Sequence, residues 1–157
     1  FKIVAPDLGA APSCRKLAQQ LGIPENIVII NKFRDPKGTN HSEVMEVIGD
    51  IRGYNAIIPD DIADTCGTAI KCLKALKENG AQDVYFTATH AVLSGNAVAD
   101  LNNAPFAGIW FTDSCITEEN KKKIKKLEII STATLLAKII DNLHNGKSVT
   151  ELWHNGE

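Results

Sequence analysis

The sequence lacks the patterns that mark several common classes of protein. Its four cysteines include no pair at the CxxC spacing, and its four histidines do not have the spacing of zinc ligands. We therefore expect neither a disulfide framework nor a zinc site, and free thiols favour a reducing, cytoplasmic compartment. No apolar run approaches the length of a membrane-spanning helix.

Strong charge of one sign is missing as well. The net charge of −2 gives no general attraction to nucleic acid or to a membrane surface. The one cationic run covers residues 121–126, but Glu118, Glu119 and Glu128 flank it and no aromatic residues alternate with its lysines. We interpret this run as a solvated surface, and we expect no nucleic-acid partner and no membrane partner.

The residues that are present predict one α/β domain over residues 1–157. With 44% hydrophobic residues, the chain can bury a core of normal size. Short apolar segments alternate with helical patterns, which predicts a mostly parallel, twisted sheet flanked by helices on both faces. The predicted strands are Lys2–Ala5, Asn26–Ile30, Glu43–Ile48, Asn55–Ile58, Asp83–Ala88, Gly108–Thr112 and Leu127–Ile130.

Two helices are predicted from their apolar faces and from the glycines that follow them. One covers Gly67–Asn79 and ends at Gly80, and the other covers Thr132–His144 and ends at Gly146. The second should direct its apolar side chains inward: Leu135, Leu136, Ile139, Ile140 and Leu143.

Residues 57–68 form the most informative segment of the chain. The apolar strand predicted at Asn55–Ile58 leads to Asp60 and Asp61, and the chain is then predicted to turn into a helix through the following residues: Asp64, Thr65, Cys66, Gly67 and Thr68. The unpaired amides and positive dipole end of a helix N-terminus favour a phosphate, and threonine hydroxyls can add donors. Carboxylates at a strand end can accept hydrogen bonds from the two vicinal hydroxyls of a ribose. The alternative is a solvated turn with a good helix cap.

Two further segments should reach the same edge of the sheet. Asp7, Leu8, Gly9 and Ala10 form a short turn that could hold a second anion or an ion-bound pyrophosphate, although Asp7 could also simply cap the next helix. Lys32 and Arg34 precede a polar stretch, residues 35–40, that we expect to be mobile and to close over phosphates. An exposed basic loop is the alternative. A lone histidine at a strand end, such as His90, is more often structural than catalytic.

These segments resemble the ribose-phosphate diphosphokinases, members of the phosphoribosyltransferase superfamily. Residues 57–68 are similar to the ribose-phosphate loop of that family, and residues 4–10 to its pyrophosphate loop. Residues 31–34 resemble the start of its flexible catalytic loop, and residues 47–50, 89–95 and 144–149 resemble other family segments. The resemblance covers essentially the whole chain and implies a type I phosphoribosyltransferase-like fold.

The resemblance also implies roles for individual residues. Lys32 and Arg34 would be catalytic, and ribose 5-phosphate would be bound by the following residues: Arg34, Asp60, Asp61, Asp64, Thr65, Cys66, Gly67 and Thr68. Pyrophosphate would lie on Asp7, Leu8, Gly9 and Ala10, with Asp7 as a ligand of Mg²⁺. Where the family has a second glycine this chain has Ala10, which would weaken pyrophosphate binding if the position needs positive φ or a close approach of the backbone to the ligand.

The implied reaction is the transfer of diphosphate from Mg-ATP to ribose 5-phosphate, giving 5-phosphoribosyl 1-diphosphate and AMP. Because the family chain has two similar domains and the match is to the C-terminal one, we expect a fragment of a longer, homo-oligomeric protein (a dimer or a hexamer), inactive by itself. A non-catalytic regulatory paralogue and a nucleobase phosphoribosyltransferase stay open as alternatives.

Overall fold

The structure is a computed structural model that describes residues 1–23, 26–34 and 43–153. Seven strands form one sheet in the order β3-β2-β1-β4-β5-β6-β7. The strands are β1 (Lys2–Ala5), β2 (Val28–Arg34), β3 (Glu43–Ile48), β4 (Ala56–Ala63), β5 (Val84–Ala91), β6 (Gly108–Thr112) and β7 (Leu127–Ile130). The helices are α1 (Ala11–Gln20), α2 (Gly67–Glu78), α3 (Ala97–Asn103), α4 (Glu118–Lys123) and α5 (Ala133–His144), followed by a short 3₁₀ turn, Thr150–Trp153.

Helices lie on both faces of the sheet because its central strands carry apolar side chains in both directions. On β1, Ile3 and Ala5 pack with buried residues of α1, whereas Val4 points to the opposite face and joins the larger cluster with α2 and α3. A strand alternates its side chains between faces, so continuous apolar runs need cover on both sides. This arrangement confirms the predicted fold class.

All neighbouring strands of the sheet run parallel except β2 and β3. These two strands pair antiparallel from Ile29↔Ile48 to Arg34↔Glu43. Strand β2 therefore continues four residues past the predicted end at Ile30, because β3 offers partners for its backbone along that length. Lys32 consequently lies within a strand and not beyond one.

The sheet also extends further than predicted between β4 and β5. The pairs Asp60↔Ala88, Ile62↔His90 and Ala63↔Ala91 remain in register. The acidic pair is therefore part of β4, which corrects the expectation that the strand ends before it. Pro59 is tolerated within this strand, although it contributes no amide hydrogen.

Helix α5 departs from the sequence-based prediction. No residue of α5 is buried, and four of its apolar side chains are 37–66% exposed: Leu135, Leu136, Ile140 and Leu143. The prediction that these side chains point inward is wrong for this chain. The start of α5 is nevertheless fixed, because Asp113 accepts hydrogen bonds from the Ser131 hydroxyl (2.6 Å) and the Thr132 amide (2.8 Å), which lower the pKa of Asp113 to about 2.

Candidate ribose-phosphate and pyrophosphate site

The carboxyl ends of β1, β4 and β5 meet at one edge of the sheet, where a cavity of about 630 Å³ opens beside α1. Its lining includes Asp7, Gly9 and Ala10 from the turn after β1, together with Asp60 and Asp61 from β4. Open parallel sheets bind ligands outside the carboxyl ends of their strands. The structure thus brings the predicted pyrophosphate turn and the predicted acidic pair together.

The pyrophosphate turn is closed by its own aspartate. One carboxylate oxygen of Asp7 accepts a hydrogen bond from the amide of Ala10 at 2.9 Å. Ala10 has φ −78° and ψ −11° and is the N-cap of α1. Since this conformation suits any residue, the alanine does not disturb the turn, and positive φ is not required at this position. Leu8 is 60% exposed and is not among the residues that line the cavity.

The acidic pair lies in an environment that disfavours two full charges. Burial raises the pKa of the Asp60 carboxyl, and the adjacent Asp61 carboxyl raises it further. Asp60 also accepts a hydrogen bond from the Asp61 amide at 2.9 Å. Asp61 is exposed, whereas Asp60 is half-buried. The two carboxylates are therefore inequivalent acceptors for the hydroxyls of a ligand.

The segment of residues 64–68, which we call the phosphate loop, follows β4 directly and leads into α2. Cys66 is the N-cap of α2, has a φ of 60°, and provides no side-chain cap. The first amides of α2 consequently lack both a preceding helical carbonyl and a capping side chain. Asp64, Thr65 and Thr68 are exposed. The loop thus presents unpaired amides and hydroxyls at the edge of the sheet, although it is not part of the cavity lining.

The charge of Asp60 affects two buried cysteine thiols, one on α1 and one in the phosphate loop. Burial raises the pKa of Cys14, on α1, to about 11, and the charges of Asp7 and Asp60 add to this effect. Burial likewise raises the pKa of Cys66 to about 12, and Asp60 and Asp64 add to it. Both thiols stay protonated at neutral pH and are poor nucleophiles. Cys14 and Ser13 also line the cavity, although no motif in the sequence marks either as a site residue.

The predicted catalytic cations are only partly described. Lys32 is half-buried on β2, and its charge partly offsets the rise that burial causes in the pKa of Cys72. The Cys72 thiol in turn lies 3.9 Å from the carbonyl oxygen of Pro6. The electrostatic effect of Lys32 therefore reaches Cys72, which contacts the residue just before the pyrophosphate turn. The backbone of Arg34 ends β2, but its side chain and the predicted mobile stretch, residues 35–40, lie outside the described residues.

His90 has a structural partner. Its Nδ1 lies 3.0 Å from the Ser114 hydroxyl, which donates to the carbonyl oxygen of Thr89 at 2.9 Å. Because that hydroxyl has already donated its only hydrogen, Nδ1 of His90 is the donor in the first bond. This network links the ends of β5 and β6 and agrees with the expectation that His90 is a structural hydrogen-bonding residue.

The structure provides a partial fit for a divalent cation. Among the described residues, no group of three or more His, Cys, Asp or Glu side chains is placed to enclose a metal ion. Mg²⁺ commonly uses one or two carboxylates and takes its other ligands from water and substrate phosphates. Asp7 lines the cavity and fits that type of site through the carboxylate oxygen that does not accept from the Ala10 amide.

Comparisons with known proteins identify the family of this chain. Residues 19–154 match the family described as "Phosphoribosyl synthetase-associated domain". The ribose-phosphate pyrophosphokinase of Bacillus subtilis is 44% identical over 151 residues, which is 96% of this chain and 46% of that protein. The corresponding protein of Caldanaerobacter subterraneus is 41% identical over 151 residues, again 96% of this chain and 46% of that protein. The chain thus spans about half the length of the curated relatives that it matches.

A solved structure shows the same relationship. The phosphoribosylpyrophosphate synthetase of Mycobacterium smegmatis superposes with a TM-score of 0.80 at 33% identity, over 92% of this chain and 45% of that chain.

None of the helices in the described ranges combines the length and apolar content that a bilayer-spanning segment needs.

Proposed function

The chain belongs to the phosphoribosyl synthetase-associated domain family, and from this premise we propose that it is the C-terminal catalytic half of a ribose-phosphate diphosphokinase. The complete protein would transfer diphosphate from ATP to ribose 5-phosphate and release AMP. One observation carries this proposal: a loop of unpaired amides follows directly on a strand that bears Asp60 and Asp61, beside a cavity that the pyrophosphate turn also lines.

In the proposed complex, the phosphate of ribose 5-phosphate lies on the phosphate loop. The amides of residues 64–68 and the hydroxyls of Thr65 and Thr68 donate hydrogen bonds to it. Asp60 and Asp61 accept hydrogen bonds from the ring hydroxyls. Arg34 would add a charge to the same phosphate. The diphosphate would lie on the turn formed by Asp7, Leu8, Gly9 and Ala10.

The proposed reaction joins the anomeric hydroxyl oxygen to the β-phosphorus of ATP. The bond between the β-phosphorus and the oxygen that bridges to the α-phosphorus breaks, AMP leaves with that oxygen, and the hydroxyl proton passes to solvent. Such transfers depend mainly on alignment and on neutralisation of charge. Lys32 and Arg34 would supply positive charge to the transferred group. Mg²⁺ held by Asp7 would neutralise further negative charge.

The proposal includes the surroundings of the domain. The remaining half of the protein would complete the ATP site, so this chain alone would be inactive, and the complete protein would form homo-oligomers. The exposed apolar side chains of α5 support an assembly in which other protein surfaces cover this helix. A cytoplasmic location agrees with four free thiols.

Incubation of the complete protein with ribose 5-phosphate and ATP tests the proposal. Stoichiometric formation of AMP and 5-phosphoribosyl 1-diphosphate is the expected result. Reaction only when a free nucleobase and 5-phosphoribosyl 1-diphosphate are supplied would indicate a nucleobase phosphoribosyltransferase instead. Binding of both substrates without AMP formation would indicate the non-catalytic regulatory paralogue.

A further inference from the structure

Two residues other than glycine have positive φ angles in the described part of the chain. They are Cys66, with φ 60°, and Leu93, with φ 59°. Side chains with a Cβ rarely adopt this left-handed conformation because the Cβ crowds a backbone oxygen. Such strain persists only where surrounding structure enforces it. Cys66 belongs to the phosphate loop, whereas Leu93 belongs to the connection between β5 and α3, to which the proposed reaction assigns no role.

Hydrogen bonds join this second connection to the phosphate loop. The amide of Leu93 donates to the carbonyl oxygen of Ala63 at 3.0 Å, and the amide of Ser94 donates to the carbonyl oxygen of Asp64 at 3.1 Å. Two consecutive carbonyl groups, from the last residue of β4 and the first residue of the phosphate loop, thus accept hydrogen bonds from two consecutive amides of the other connection. The Cys66 thiol also lies 3.9 Å from the carbonyl oxygen of Asp64.

This pairing determines where the amides of the phosphate loop point. The described part of the chain contains no cis peptide bond. In a planar trans peptide, the carbonyl group of one residue and the N–H group of the next point in opposite directions. Because the carbonyls of Ala63 and Asp64 face the connection that holds Leu93, the N–H groups of Asp64 and Thr65 face away from it. They are therefore free to donate to a ligand on the other side.

The conformation of Leu93 is anchored from both sides. Its side chain is only 6% exposed and belongs to the larger core cluster. The carbonyl oxygen of the next residue, Ser94, accepts a hydrogen bond from the amide of Ala97 at the start of α3. Burial of the leucine side chain and attachment to α3 together hold the strained backbone in place.

We propose that Leu93 is a positioning residue for phosphate binding, and this inference rests on the proposed function. Its left-handed backbone directs the amides of Leu93 and Ser94 at the carbonyls of Ala63 and Asp64. The amides of Asp64 and Thr65 are thereby turned toward the phosphate of ribose 5-phosphate. Leu93 itself does not contact the substrate.

Two substitutions separate the backbone conformation from the packing of the side chain. Leu93→Ile keeps the side-chain volume but introduces a β-branch, for which positive φ is a severe outlier. Leu93→Met has no β-branch and serves as the matched control. In the complete protein, L93I should bind ribose 5-phosphate about tenfold more weakly than L93M, because a backbone shift at residue 93 misdirects two charge-assisted donors. L93M should stay within about twofold of wild type.

Steady-state kinetics distinguish a positioning role of Leu93 from a purely structural role. The KM for ribose 5-phosphate should rise in L93I, whereas the KM for ATP should stay at the L93M value, since ATP does not use the phosphate loop. Because the β-branch also strains the fold, a second measurement uses the wild-type protein. Residue-resolved hydrogen exchange should show slower exchange at the amides of Leu93 and Ser94 when ribose 5-phosphate is bound.

The outcomes are distinguishable. Equal affinity of folded L93I and L93M for ribose 5-phosphate would overturn the inference and leave the proposed function intact, as would unchanged exchange at residues 93 and 94 in the wild-type complex. Failure of wild-type protein to bind ribose 5-phosphate would overturn the proposed function, and the inference with it.

Discussion

A carboxylate oxygen of Asp7 lies 2.9 Å from the amide nitrogen of Ala10 and closes the turn between β1 and α1. Asp7 also lines the cavity, and the proposed cation would bind the second oxygen of the same carboxylate. The two interpretations of Asp7 from the sequence, as a structural cap and as a metal ligand, are therefore compatible. One carboxylate oxygen accepts from the Ala10 amide, and the other would bind the metal ion.

Substitutions at Asp7 should separate these two roles. Asp7→Asn keeps an oxygen acceptor for the Ala10 amide, so its free energy of unfolding should stay within about 0.5 kcal/mol of wild type. Asp7→Ala removes the acceptor and should lower the free energy of unfolding by about 1 kcal/mol. Both variants should need at least about tenfold more Mg²⁺ for half-maximal AMP formation, because each lacks the carboxylate charge. Denaturant unfolding and Mg²⁺ titrations provide the measurements, and an unchanged Mg²⁺ requirement in D7N would contradict the metal role.

The raised pKa of Asp60 predicts opposite effects of pH on stability and on binding. A carboxyl whose pKa is higher in the folded state contributes most stability below its unfolded pKa, about 3.9, and that contribution is lost as pH rises through the folded value. Asp60→Asn, which is uncharged, should therefore melt a few degrees higher than wild type at pH 7. The difference should vanish near pH 3, as measured by thermal unfolding over this pH range.

Binding of ribose 5-phosphate should respond to Asp60 in the other direction. The ionised carboxylate is the stronger acceptor for ribose hydroxyls, so D60N should bind at least about tenfold more weakly at pH 7. Wild-type affinity should fall as the pH drops through the pKa of Asp60. The phosphate of the sugar also titrates, near pH 6, and D60N serves as the control that retains only the effect of the phosphate. Parallel pH profiles for the two proteins would contradict the assignment.

The sequence predicted the order of the strands and helices well but not the extent of the central ones. The strand bounds of β1, β3, β6 and β7 agree with the prediction. Strand β4 continues through Asp60 and Asp61 because β5 supplies backbone partners as far as Ala91. Such pairing depends on the neighbouring strand, which local composition does not reveal.

The candidate site was predictable where it depends on short ordered motifs, and it was not where it depends on backbone conformation. The acidic pair and the phosphate loop follow one another in sequence, so their pattern is visible. The left-handed conformation of Leu93 has no sequence signal, since the usual signal for positive φ is glycine or asparagine. The exposure of α5 was missed because its amphipathic pattern predicts a buried face without specifying which surface covers it.

Gly67 offers a test that separates stability from binding. A Cβ added at Gly67 would meet only the Thr65 hydroxyl, at 3.8 Å, and the backbone there does not have a positive φ. Gly67→Ala should therefore keep or raise the free energy of unfolding, by up to about 1 kcal/mol, because alanine favours the helix. The new methyl group narrows the proposed anion site, so binding of ribose 5-phosphate should weaken at least about tenfold. Denaturant unfolding measures the stability, and calorimetric titration measures the affinity for ribose 5-phosphate. If G67A binds ribose 5-phosphate with wild-type affinity, the phosphate does not lie next to residue 67.

Lys32 should affect turnover and not the binding of ribose 5-phosphate. Lys32→Ala removes positive charge from the transferred diphosphate, so kcat of the complete protein should fall about 10²-fold or more. The Kd for ribose 5-phosphate should stay near the wild-type value, since Asp60, Asp61 and the phosphate loop are unchanged. Lys125→Ala, at an exposed position next to α4, is the matched control for loss of one lysine. A wild-type kcat in K32A would contradict the catalytic role.

A crystal structure of the complete protein with ribose 5-phosphate tests the central claim most directly. The account predicts that the sugar phosphate lies within hydrogen-bonding distance of the amides of residues 64–68 and that its ring hydroxyls face Asp60 and Asp61. Density for the ligand at another surface, or a phosphate loop whose amides turn away from the bound sugar phosphate, would contradict it.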